Sequence, residues 1–225
     1  MVSGMIDQQY YEIARPGTFA EALLKRARNR IYADFLDFTT PTPRSTILDV
    51  GVSDVHSDGA NWLEVQYPHK SMLFACGLGD AVDFRAAFPE VAYTKIRPNE
   101  RLPYRDDEFD IATSNAVLEH VGSIDNQQRF INEMVRVARQ VFISVPHRYF
   151  PVEHHTGIPL LHYFDISFNV ACHALKKSKW AEPENLLLMS RRRLRRLSPR
   201  GSCIGYTGLM LGPVSSNLFM HHSKP

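Results

Sequence analysis

Apolar residues recur at every fourth position through residues 18–38, where Phe19, Leu23, Ala27, Ile31 and Phe35 trace one face of a helix. Pro16-Gly17 breaks the chain ahead of it, Thr18 can cap the first turn, and Glu21 completes a capping box. Lys25, Arg26, Arg28 and Arg30 fall mostly off the stripe. The pattern predicts a lid or packing helix with a solvated basic face. Past Pro41 and Pro43 the pattern shortens and alternates. Strands are expected at 45–50, 71–76, 91–96, 109–114 and 141–145, with helices at 61–67, 83–88 and 125–138. Pro68, Pro89 and Pro146 close elements along the way. Strands separated by helices need crossover connections, which implies a largely parallel sheet covered on both faces.

After Pro146 the character changes. Residues 147–164 are rich in histidine and aromatics, helices are expected at 165–175 and 183–197, and Gly205, Gly208, Gly212 and Pro213 punctuate apolar runs over 202–222. That end reads as two strands joined by a turn. The expected fold is α/β: a Rossmann-like, seven-stranded, mostly parallel sheet with helices on both faces and a C-terminal antiparallel hairpin. The length of 225 residues and 44% apolar content suit one domain, 1–225.

Charge changes the picture little. Twenty-six basic residues against 24 acidic leave a formal +2, which argues against a surface built for nucleic acid. The basic run Arg191-Arg-Arg-Leu-Arg-Arg196, with Lys176, Lys177 and Lys179 upstream, complements the carbonyl end of a helix and reads as a solvated face. Leu187, Leu194 and Leu197 would face the core, and no aromatic interleaving points to RNA. Cys76, Cys172 and Cys203 are odd in number and far apart, so a reducing, cytoplasmic setting is expected. No apolar run is long enough for a membrane span, and residues 1–15 lack the basic start and apolar stretch of a secretory signal.

In open parallel sheets ligands sit beyond the carboxyl ends of the strands. The first such end is Asp49-Val-Gly-Val-Ser-Asp54, where Gly51 lets backbone approach a ligand closely. It lacks the further glycines of G-x-G-x-x-G, which weighs against a nucleotide-cofactor oxidoreductase. More specific is Leu102-Pro-Tyr-Arg-Asp-Asp-Glu-Phe-Asp-Ile-Ala-Thr-Ser-Asn-Ala-Val-Leu-Glu-His-Val121. This run resembles the type 11 class I S-adenosylmethionine-dependent methyltransferases, in which Leu-Pro-aromatic, Phe-Asp and Leu-Glu-His-Val follow in this order. The likeness covers 47–146, and 145–163 looks like a bacterial subgroup associated with small-molecule or sugar substrates.

The resemblance implies S-adenosylmethionine as cofactor. It divides the chain into an N-terminal helical lid (1–44), a cofactor-binding core (45–146), an acceptor-side insertion with helices (147–200) and a final hairpin (201–225). It sets Asp49, Gly51 and Val52 against the methionine part, Asn99 and Glu100 near the adenine, and Ser114 and Asn115 near the sulfonium and amino group. The family's ribose-binding acid at the end of strand two is replaced by Gly77, which leaves Asp80 as the nearby carboxylate. The glycine-poor first turn and Gly77 also keep open a non-catalytic binding subunit.

The cofactor carries an activated methyl, so the protein must mainly align a nucleophile, with a general base if that nucleophile is a hydroxyl. His120, His147, His154, His155 and His162 fall near the expected site, and His120 and His154 are the catalytic candidates. The expected reaction is methyl transfer to a small-molecule acceptor at oxygen. Imidazole and carboxylate could also hold a divalent ion. Glu119-His120 resembles part of the Glu-x-x-Glu-His run of ubiquinone-pathway O-methyltransferases, which bind a divalent ion; Ala116 stands at its first position, Glu153, His154 or His155 are the candidates to complete a site, and no metal is assigned.

Overall fold

The core strand Ile47–Val50 is buried along its whole length, which only the middle of a sheet allows. A computed structural model describes residues 19–54 and 61–225 of the chain. In chain order the elements are α1 (Phe19–Thr39), β1 (Ile47–Val50), α2 (Trp62–Gln66), β2 (Leu73–Gly77), α3 (Val82–Ala87), β3 (Ala92–Lys95) and β4 (Phe109–Asn115). They continue with α4 (Ile124–Val137), β5 (Ala138–Pro146), α5 (Asp165–Ala174), α6 (Arg191–Leu197), β6 (Cys203–Leu211) and β7 (Val214–Ser223). The seven strands form one sheet in the order β3-β2-β1-β4-β5-β7-β6. Pairing is parallel from β3 to β5, and β7 runs antiparallel to both β5 and β6. The expected Rossmann-like sheet and its terminal hairpin are both present.

Alternation along the strands divides the core between two faces. Ile47, Ile111, Phe142 and Phe219 face α1, α2 and α3, while Leu48, Ala112, Ile143 and Met220 face α4 and α6. Ala27, Ile31 and Phe35 of the α1 stripe are buried as the spacing required. The Thr18–Glu21 capping box and the Phe19 side chain lie outside the described residues. Ser123 opens α4 by accepting the Asn126 amide at 3.1 Å.

One expected helix is much shorter. Only Arg191–Leu197 of 183–197 is helical, and Ser190 caps it. Upstream, the Leu187 amide donates to the Glu119 carbonyl at 2.8 Å and Met189 bridges to His147. The chain there is drawn out as an extra strip beside the end of β5. Leu186 is buried and Leu187 only half-buried, whereas Leu194 and Leu197 reach the core as expected. Tertiary hydrogen bonds have overridden local helix propensity. Residues of 158–186 close a small core of their own around Ile158, Phe168, Cys172 and Trp180.

The Leu102-Pro-Tyr segment is fastened to α4 by Arg136. Its guanidinium donates to the carbonyls of Leu102 (3.0 Å) and Tyr104 (2.8 Å), to Asp106 (2.8 Å) and to both oxygens of Glu133 (2.9 and 2.8 Å). Glu133 in turn accepts the Leu102 amide at 2.9 Å. Burial alone would raise the Glu133 carboxyl, but Arg136 outweighs it and holds the group below its ordinary value of 4.5. Arg136→Ala should therefore cost about 2–3 kcal/mol in urea unfolding, as charge-assisted bonds are lost. The Glu133 contribution is present above pH 4.5 and disappears as pH falls through the depressed folded value. An acid titration of stability should show that loss in the wild type and not in the variant.

Candidate active site

The order of the sheet reverses at β1, so the crevice for a ligand opens beyond the carboxyl ends of β1 and β4. There Ser114 Oγ donates to the Val50 carbonyl at 2.8 Å, locking the two strand ends together. Asn115 Oδ1 accepts from Ser144 at 2.5 Å, which joins β4 to β5 in the same way. Gly51 has φ +97°, and a Cβ there would stand 2.4 Å from a methyl of Val117. The turn thus requires glycine on two counts, backbone conformation and the close approach of Val117. Any larger residue at 51 perturbs this packing as well as any ligand. Val52 is half-buried, and its amide reaches the Cys76 carbonyl at 3.3 Å.

Asp49 points to the α2 face, where it meets Glu64, and both carboxylates are buried. Burial first, and then the charge of Glu64, holds Asp49 well above the carboxylate range. Burial likewise lifts Glu64 to about 7. Both Glu64 oxygens lack a hydrogen-bond partner among the described residues. Two shielded carboxyls beside the strand ends suit a cationic ligand.

The ribose side is built differently from the family pattern. A Cβ at Gly77 would meet the Val52 carbonyl oxygen at 3.0 Å and the Tyr93 hydroxyl at 3.1 Å. Tyr93 donates to the Gly79 carbonyl at 2.7 Å, occupying the space that a side chain at 77 would use. Asp80 is exposed and bonded to Lys95 at 2.6 Å, so it meets a ribose only by exchanging that partner. Asn99, with φ 59°, and Glu100, 3.7 Å from Arg97, lie exposed on the turn after β3. Asp54 closes the start of α3 by accepting the amides of Val82 (3.2 Å) and Phe84 (2.9 Å).

On the acceptor side β4 and β5 deliver their following residues to one place. His120 Nε2 stands 3.0 Å from His155 Nε2, rather than meeting His154. His120 Nδ1 faces the Asn185 carbonyl at 2.7 Å, and His155 Nδ1 faces Glu153 at 2.7 Å. Glu153 also accepts the amides of His155 and Thr156 and the Thr156 hydroxyl. Burial disfavours charge on all of these groups. The hydrogen-bonded Glu153 is nevertheless held well below the usual range, and His155 is raised by that carboxylate. Burial takes His120 down to about 3 and His154 to about 4, and lifts Glu119 to about 7.

His154 turns the other way, against the Phe150 ring and the Ser216 backbone. It nonetheless lines the same cavity as Glu119, His147, Arg148, His155 and His162. Four of these residues contribute buried polar atoms that lack a partner among the described residues: both Glu119 oxygens, Arg148 Nε, His154 Nε2 and His162 Nδ1. Such atoms are costly to bury unless something occupies them. His162 Nε2 is bonded to the Phe150 carbonyl at 2.8 Å, so its unpartnered Nδ1 is an acceptor. His162 and Arg148 follow Pro146 in the His- and aromatic-rich stretch, and that composition was their one signal. Glu64 and Tyr93 gave none, because their roles arise from packing across elements.

Residues 81–141 match the family model described as a methyltransferase domain. Among curated proteins, none matches the chain in sequence. The fold is shared with magnesium protoporphyrin IX methyltransferase from Synechocystis, with S-adenosylhomocysteine bound (TM-score 0.61, 9% identity, covering 100% of this chain and 98% of that one). It is also shared with an S-adenosylmethionine-dependent methyltransferase from Thermotoga maritima (0.56, 12%, 91% and 92%). A Rhodobacter sphaeroides protein described as a zinc-dependent alcohol dehydrogenase is similar too (0.61, 12%, 99% and 96%). Over residues 81–141 the chain thus carries a methyltransferase domain, and its fold is the one seen in S-adenosylmethionine-dependent methyltransferases.

The buried acid pair makes a direct test. With its folded value near 7 against 4.5 unfolded, Glu64 binds more protons in the native state over that interval. The stability of the cofactor-free protein should therefore fall as pH rises from 4.5 to 7. Glu64→Gln should flatten that decline and raise the thermal midpoint at pH 7.5. An unchanged slope in calorimetry would show that Glu64 keeps an ordinary carboxyl.

Proposed function

We propose that the protein methylates a hydroxyl oxygen of a small polar molecule whose hydroxyl reaches the narrow cavity between Glu119, Arg148, His154 and His162, which has room for about one water-sized group. The carrying observation is the convergence of those four residues' unpartnered polar atoms on a single cavity beside the ends of β4 and β5. Two of the atoms are imidazole nitrogens with lone pairs, which suit a ligand bearing hydroxyl donors, and Arg148 adds a fixed positive donor. S-adenosylmethionine, when bound, supplies the activated methyl and its sulfonium leaving group.

The chain's own residues do the rest. Asp49, Gly51, Val52, Ser114 and Asn115 hold the methionine end at the β1–β4 crevice. Asn99 and Glu100 border the adenine, and Asp80 serves the ribose from the rim. His154 Nε2, shielded from bulk water and oriented through the Ser216 backbone, receives the acceptor's proton. His120 and His155 form the opposite wall, held by Asn185 and Glu153. No helix among the described residues is long and apolar enough to cross a membrane, and a small water-soluble acceptor agrees with that. The unpaired cysteines support a cytoplasmic setting.

Isothermal titration should find one S-adenosylhomocysteine site per chain and none for NAD. His154→Ala should lower turnover of an accepted hydroxyl substrate by roughly 10²–10⁴-fold while S-adenosylhomocysteine affinity and thermal midpoint stay near wild type. A parallel fall in midpoint and activity would reduce His154 to a packing residue.

A further inference from the structure

Each histidine of the facing pair has its tautomer set by its other nitrogen. A carbonyl accepts only, so the Asn185 contact requires a proton on His120 Nδ1. Glu153 already accepts three other donors, so it requires a proton on His155 Nδ1 as well. Both neutral rings then present Nε2 lone pairs to one another at 3.0 Å. With both rings neutral these lone pairs repel; a proton on His155 or a bound cation relieves that, and a bound cation would also engage the unpartnered Glu119 carboxylate.

Glu119 completes the arrangement. It is 1% exposed, neither oxygen has a hydrogen bond among the described residues, and Oε1 lies 3.8 Å from His120 Nε2. The ligating atoms of Glu119, His120 and His155 all fall within 4.8 Å of one another. Donors about 2.0–2.1 Å from an ion stand roughly 3.0–3.4 Å apart, so the two imidazole nitrogens already have that spacing and the carboxylate would close in on binding.

We infer that Glu119 Oε1, His120 Nε2 and His155 Nε2 form a binding site for a borderline divalent transition-metal ion such as Zn²⁺ or Co²⁺. Two imidazoles and one carboxylate suit such ions better than Mg²⁺ or Ca²⁺, which favour oxygen donors. Glu153 and the Asn185 carbonyl are the outer partners that orient the two rings. The ligands come from the end of β4 and the loop after β5, so position 116 is not needed. Glu119 and His155 also line the cavity beside His154, so an ion held by them would stand at its wall. Three protein ligands with an open position are the pattern of an ion that meets substrate, not of a closed structural site. A hydroxyl bound there would be polarised opposite His154. The site itself stands on the geometry of the cluster and is independent of which acceptor is methylated.

The test titrates chelator-stripped, full-length protein with Zn²⁺ by calorimetry, and with Co²⁺ by visible absorption. One ion per chain is expected, and the Co²⁺ spectrum should show nitrogen–oxygen coordination without a thiolate charge-transfer band. Glu119→Gln and His155→Ala should each weaken Zn²⁺ binding by at least tenfold. Glu153→Gln, which touches no ion, should weaken it by about 10–100-fold. Circular dichroism confirms folding of each variant, and the wild-type Co²⁺ spectrum decides the matter should a variant fail to fold. Absence of stoichiometric binding at micromolar Zn²⁺, or affinity unchanged in folded variants, overturns the site. S-adenosylhomocysteine binding and methyl transfer are measured separately. Loss of those with Zn²⁺ binding intact would refute the methylation reading alone.

Discussion

The parallel pairing of β4 with β5 is the constraint on which the site depends. Its register sets Ser114 beside Ile143 and Asn115 beside Ser144, so β5 ends only two residues beyond β4 on the same edge of the sheet. Whatever follows them emerges into a common space. Glu119 and His120 come from one strand, and residues 147–162 from the other. A histidine pair separated by 35 positions in sequence can then meet at 3.0 Å. The Ser144–Asn115 hydrogen bond fixes that edge, and β7, antiparallel to β5, closes its other side.

Burial sets the chemistry of both halves of the crevice, in two different ways. Beside β1 it leaves two carboxyls, Asp49 and Glu64, with raised proton affinity and little around them to hold an anion. Beside β4 and β5 it drives His120 and His154 towards the neutral form, while Glu153 and His155 keep charge by sharing it in a short contact. In the proposed reaction the first arrangement meets the positively charged cofactor and the second the hydroxyl-bearing acceptor.

The second strand shows how a fold can keep its outline while changing a contact. With glycine at 77, the Tyr93 hydroxyl moves in beside the backbone, and the nearest acid, Asp80, binds Lys95 on the surface. The end of β2 is thus rimmed by tyrosine, backbone and an exchangeable ion pair.

Much of the fold was legible because periodicity reports burial directly. The four-residue stripe of α1, the short apolar runs of the parallel strands and the glycine-marked hairpin each have a local physical cause. The Leu102 to Val121 run was legible through its family resemblance, carried by one continuous segment, although its fastening by Arg136 from α4 was not. Local pattern failed at 183–190, where hydrogen bonds to Glu119 and contact with His147 stretch a segment whose composition favours helix. It also could not tell His154 from His155. Adjacent side chains in an extended loop point to opposite sides, and only the packed loop decides that His155 meets His120 while His154 faces Phe150. The sequence by itself determined the order of elements and the kind of groups available at the strand ends. Which of those groups touch depends on long-range register and burial, and that was decided only in the tertiary structure.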